Sequence, residues 1–249
     1  MVRQYDEKFY KTQVSDSYSS AREIAPFMTS LVSCRSVIDV GCGLGTWVRA
    51  FKESGVQLAV GIDGEWVAAS HFQGEYDHFY KRDLSRLDVE GLGRFDLVIS
   101  MEVGEHLPHS SADHFVECLT RLAPLVLFSA AIPGQGGRNH INEQWPDYWE
   151  NLFIARGYKR FDVIRGRFWG NSNVAYYYAQ NAHLFVAESE TDEDVLARLR
   201  DAVVDFPVRA IHPAKYLKHV ALDVGPKTLV SALPRSLAKA LHRKLGRRP

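Results

Sequence analysis

The sequence predicts a doubly wound α/β sandwich, and three observations predict it. The apolar, β-branched run Val37-Ile38-Asp39-Val40 leads into glycines 41, 43 and 45, then into a helical pattern with apolar residues at 47, 48 and 51. That is the mark of a strand, a tight turn and a helix. Leu125 to Ile132 is a near-continuous apolar run of the kind buried on both faces of a parallel sheet. Amphipathic patterns lie between such strands, clearest from Ala112 to Leu122, where Phe115, Cys118, Leu119 and Leu122 fall at helical spacing.

Taken in order, Ser15 to Ser20 supplies capping residues for a helix running to about Val32, with Ala21, Ile24, Ala25 and Met28 on one face and Pro26 as a kink or break. Strand two is expected at Gln57–Ile62, strand three at His78–Leu84 and strand four at Phe95–Met101. Pro133 to Gly137 reads as a flexible loop after strand five, and Trp145 to Arg156 as a helix with Gly157 as its C-cap. Tyr158–Ile164 and Ala182–Ala187 read as a closing hairpin, with Tyr178 of the aromatic run Tyr176-Tyr177-Tyr178 assigned to the start of the last strand. A charged helix is expected over 190–206.

Asp-Val-Gly-Cys-Gly-x-Gly, residues 39–45, resembles motif I of class I S-adenosylmethionine (SAM) methyltransferases. The glycines let the backbone approach a ligand, and the third comes one position too early for a dinucleotide fingerprint, which disfavours a nicotinamide oxidoreductase. The resemblance covers about residues 17–188 and implies seven strands in the order 3-2-1-4-5-7-6, the seventh antiparallel. It implies SAM as cofactor, held by Asp39, Gly41, Cys42, Gly43, Gly45, Asp63, Asp83, Leu84 and Met101. Asp63 follows strand two, where a ribose needs both hydroxyls accepted. Asp83 and Leu84 match the pair that faces adenine, and Asp83 also fits a plain helix start. A first helix lying over the pocket would bring Tyr18 and Arg22 near ligand, or leave them as surface packing.

Glu102, Glu105 and His106 have i, i+3, i+4 spacing, which puts three side chains on one face of a helical turn. Two chemistries fit. His106 is a general base for an acceptor hydroxyl, oriented by Glu105 or Glu102, since histidine titrates at about 6.5. Alternatively Glu102, Glu105, His106 and His140 hold Mg²⁺ or Mn²⁺, whose charge acidifies the hydroxyl. Glu-x-x-Glu-His resembles the metal motif of quinone-pathway and small-RNA 2′-O-methyltransferases. A structural cap at a helix start is the third reading, and Gly104 weakens a regular helix there. His140, Asn142 and Gln144 are expected as substrate contacts, or as a capping segment for the next helix.

Three cysteines at 34, 42 and 118 form no metal spacing and point to reduced thiols in a cytoplasmic setting. The net charge of zero hides an asymmetry: residues 209–249 carry ten Lys/Arg and one acid, a net of +9, against −9 for residues 1–208. Leu233, Leu237, Leu241 and Leu245 interleave with Arg235, Lys239, Arg243 and Lys244, a pattern suited to an anionic membrane surface at the inner face or to a docked terminal helix. The expected organisation is a methyltransferase domain at 1–190 with a helical N-terminal cap, then a basic helical extension at 191–249. Likeness to glycan and secondary-metabolite enzymes over Asn139–Phe153 makes the expected activity O-methylation of a sugar, glycan or comparable small-molecule hydroxyl. An RNA 2′-hydroxyl, disfavoured by the acidic body, and a non-catalytic SAM-binding module are the alternatives.

Overall fold

A computed structural model describes residues 7–65 and 78–217, with side chains from residue 16 onward. Seven strands form one sheet in the order β3-β2-β1-β4-β5-β7-β6. β1 (Ser36–Val40), β2 (Leu58–Asp63), β3 (Phe79–Lys81), β4 (Leu97–Met101) and β5 (Leu125–Ser129) run parallel, while β7 (His183–Val186) is antiparallel to β5 and to β6 (Lys159–Phe161). This is the expected Rossmann-like topology.

Alternation along the strands builds two cores. Val37, Leu97, Ile99, Leu125 and Leu127 face one apolar cluster, whereas Ile38, Val98, Val126 and Phe128 face the other. The first cluster takes α1 (Glu7–Val32), α2 (Thr46–Glu53) and α7 (Glu193–Ala202); the second takes α3 (Ala112–Leu122) and α4 (Pro146–Ile154). Phe115, Val116 and Leu119 of α3 are fully buried, each contributing about 1.5–3 kcal/mol of transfer free energy. Pro146 opens α4, and left-handed Gly157 follows it, its amide returning to Ile154 O while Tyr158 N bonds Phe153 O.

Three expectations need correction. α1 begins at Glu7, eight residues before the serines expected to cap it. Those serines lie inside the helix: Ser20 Oγ bonds back to Asp16 O and accepts from Ala175 N, while Ser17 Oγ pairs with Thr46 Oγ1 at 2.7 Å. The helix runs through Pro26, which sits on its exposed face. The aromatic run is a helix, α6 (Tyr176–Asn181), after the short α5 (Arg165–Phe168); Tyr178 packs edge-on to Trp47 with ring centroids 5.3 Å apart.

The chain divides into two compact units after Ala210. α7 buries Val195, Leu196 and Leu199 in the first core, although the sequence places it in the C-terminal extension. Of the second unit only residues 211–217 are described, so the leucine stripe at 233–245 lies outside the described residues. No helix among the described residues is long and apolar enough to cross a membrane.

Candidate functional site

Parallel strands bring the ends of β1, β2, β4 and β5 to one edge of the sheet, where ligands bind in open α/β folds. Gly41 turns the chain there with φ +87°, and a Cβ on it would lie 2.4 Å from Val103 Cγ2. Only glycine fits. Gly43 has φ +53°, and a Cβ there would meet nothing within 4 Å, so the turn is open above it. The amides of Gly41 and Cys42 donate to Ile62 O, and Gly43 N donates to Asp63 Oδ2 at 2.6 Å. Asp63 Oδ1 accepts from Gly64 N. Its carboxyl is only 4% exposed, and burial outweighs the two amides to push its pKa up to about 6.

Asp39 is buried at the floor of this turn, with Oδ2 lacking any hydrogen bond. Burial, then the Asp63 charge, push its pKa well above the usual carboxylate value. Cys42 and Met101 are buried in the first core. Asp83 is exposed and caps the 3-10 turn Leu84–Arg86, Oδ1 accepting from Ser85 N and Oγ, while Leu84 is buried in the second core. Tyr18 donates to Glu53 beneath Arg49, whose guanidinium lies 4.4 Å from the ring centroid. Arg22 lies 5.9 Å from the same ring.

After β4 the chain departs from the expected helical turn. Glu102 adopts φ +57°, a left-handed conformation costly for this residue, and a 3-10 turn follows over Gly104–His106. A Cβ on Gly104 would lie 2.7 Å from Trp149 Cη2, so this turn packs straight onto the indole. Glu102 lies beside Glu105 but is not among the three residues whose ligand atoms converge. Its amide donates to Ser129 O and Oγ, and its carboxylate accepts from Gln135 Nε2 at 2.6 Å and Asn181 Nδ2 at 3.1 Å. Burial still pushes Glu102 up to about 7. Gln135 and Asn181 were not legible as its partners, because 33 and 79 residues separate them from Glu102.

Glu105, His106 and His140 do converge, with ligand atoms all within 4.8 Å of one another. Glu105 is 0% exposed, and its carboxyl lies against its own amide, that of Ala131 and the Glu102 carboxyl. Burial and the charge of Glu102 push its pKa well above the usual range. His140 Nε2 stands 4.0 Å from Glu105 Oε1, and the His106 ring lies perpendicular to the His140 ring at 4.8 Å. Burial, then His140, pull His106 down to about 4. Asn142 and Gln144, expected as substrate contacts or as a capping segment, make hydrogen bonds within the loop. Asn142 is 3% exposed, its amide donates to Glu105 O, its Oδ1 accepts from Gln144 Nε2, and Gln144 N donates to Ala131 O.

A family model described as a methyltransferase domain matches residues 10–163, more than half of the chain. The chain belongs to this methyltransferase family. The bare Asp39 oxygen, the open turn over Gly43 and the Asp63 carboxyl fit SAM, the cofactor that the glycine motif implies. The methyltransferase shares its fold with the sugar N-methyltransferase KedS8 from a Streptoalloteichus species, at 13% identity and TM-score 0.56, the match covering 72% of this chain and 91% of that one. DesVI from Streptomyces venezuelae matches at 16% identity and TM-score 0.53, over 72% and 95%. A tRNA U34 carboxymethyltransferase from Hydrogenovibrio crunogenus is 32% identical over 127 residues, 46% of this chain and 38% of that protein. The chain spans about a third of the length of the curated relatives it matches.

Proposed function

We propose that the enzyme transfers the methyl group of SAM to a hydroxyl of a sugar, glycan or comparable small molecule, with a divalent cation held by Glu105, His106 and His140. One observation carries this reading: ligand atoms of Glu105, His106 and His140 lie within 4.8 Å of one another, and the Glu105 carboxyl among them is buried. Such a carboxyl is costly unless a cation sits against it, and the mixed carboxylate–imidazole set suits Mn²⁺ or Mg²⁺. A divalent cation there acidifies an acceptor hydroxyl near neutral pH.

The chain's own residues do the rest. His106, pulled down to about 4, is a poor proton acceptor at neutral pH but is neutral, as a ligand must be. This favours the cation over His106 acting alone as base. SAM held over the Gly41–Gly45 turn would supply the methyl group to the acceptor oxygen, and the hydroxyl proton, acidified by a cation held by Glu105, His106 and His140, would pass to solvent water. An acceptor screen with labelled SAM tests the assignment. Label is expected on oxygen of a sugar or glycan hydroxyl; label on nitrogen or on RNA would contradict it.

Asp63 is proposed to accept the ribose hydroxyls, Asp39 and glycines 41, 43 and 45 to cradle the methionine part with Cys42 and Met101, and Asp83 with Leu84 to face adenine. The hydroxyls donate to an ionised Asp63, so SAM favours the deprotonated form. With the free-protein pKa near 6, SAM affinity is expected to fall as pH drops below that value, by up to about tenfold per pH unit. Calorimetry at stepped pH checks this, and Asp63→Asn should flatten the slope. A response that is equally steep in the variant would remove Asp63 from the ribose site. The ten basic residues of 209–249 support a proposed contact with an anionic membrane surface at the cytoplasmic face.

A further inference from the structure

Glu143 carries no assignment from the motif reading, yet it touches everything that fixes His140. Its Oε1 accepts from His140 Nδ1 at 2.9 Å and from Gly136 N at 2.8 Å, and its Oε2 accepts from Gly134 N at 2.7 Å. Burial raises the Glu143 pKa, but these three hydrogen bonds outweigh it and hold the carboxyl below its usual range. Gly137 completes the cradle: a Cβ there would lie 2.1 Å from His140 Nε2, so the ring rests on bare backbone.

A carboxylate has no proton to give, so the proton in the His140–Glu143 bond belongs to Nδ1. A neutral ring then has one lone pair left, on Nε2. That atom is the one 4.0 Å from Glu105. The same carboxylate holds two left-handed glycines, Gly134 at φ +79° and Gly136 at φ +67°, which would otherwise keep the loop conformationally free.

We propose that Glu143 is a positioning residue, which fixes His140 as the Nδ1–H tautomer, aims Nε2 at the Glu105–His106 pair, and ties the loop after β5 to that ligand. The proposal rests on reading the trio as a cation site. Carboxylates that orient ligating histidines typically alter metal affinity 10–100-fold when removed.

The test uses the full chain and two readouts. In metal-free protein, long-range ¹H–¹⁵N spectra of the imidazoles should show His140 protonated at Nδ1, and Glu143→Ala should shift it toward the Nε2–H form. In Mn²⁺ titrations, Glu143→Ala should weaken binding about 10–100-fold with SAM affinity retained, and should add no further loss in a His140→Ala background. Wild-type Mn²⁺ affinity in Glu143→Ala, or an additive loss in the double variant, would overturn the proposal. A wild-type protein that binds no Mn²⁺ would overturn the cation reading, while the imidazole spectra would still decide whether Glu143 sets the tautomer.

Discussion

Glu105→Gln is expected to lower methyl transfer by roughly 100-fold or more, the equivalent of about 3 kcal/mol of lost transition-state stabilisation, while SAM affinity stays within a few-fold. The glutamine keeps the shape of the side chain but removes the one anionic ligand of the trio. Stability should move the other way. Glu105 is fully buried and faces the charge of Glu102, so in metal-free protein its ionised form opposes folding. The variant should therefore melt no lower than wild type, and the metal-free midpoint should rise. A residue kept at a cost to the fold and needed for turnover is what an active site requires. Loss of activity together with a lowered melting temperature would instead make Glu105 a structural group.

Arg165→Leu carries the largest expected stability effect. Arg165 is 0% exposed. Its Nε and Nη2 donate to Asp162 Oδ2, the Nε bond at 2.8 Å, and Nη1 donates to Val208 O at 3.0 Å. Its guanidinium lies 4.8 Å from the Phe206 ring centroid. The residue thus pins the segment after α7 onto α5. Asp162 Oδ1 already lacks a partner, and the nearest remaining cation is Arg160 at 3.6 Å. Removing one partner of a buried pair costs about 3–5 kcal/mol, so the melting temperature should fall on the order of 10 °C for a chain of this size. Replacing Asp162 by leucine as well should recover much of the loss, because the stranded charge disappears. A single variant that melts like wild type would show that the pair does not hold this segment.

Legibility in the sequence followed the range of the forces involved. Strands β1 to β5 stood within two or three residues of their expected positions, because β-branched apolar runs and glycine turns are local signals. The cofactor turn was legible for the same reason: Gly41 must accept φ +87° against Val103. α6 was not, because aromatic residues favour strands and what holds them helical is remote. Ala175 N bonds Ser20 across 155 residues and Tyr178 bonds Ser17 across 161. Spacing put Glu102, Glu105 and His106 on one helical face, whereas the chain turns left-handed at Glu102 and Gly104 packs against Trp149, contacts that no local spacing encodes. Glu143 had one local signal, an acid three residues after His140, although its bonds to Gly134 and Gly136 depend on how the loop closes.

The most direct measurement is methyl transfer by the wild-type enzyme, with an acceptor identified in the screen, before and after removal of divalent ions by a chelator. The account predicts that turnover is lost on chelation and returns on adding Mn²⁺ or Mg²⁺, with SAM bound throughout. Turnover that continues unchanged in the chelated enzyme would contradict it and return the chemistry to a site without a cation.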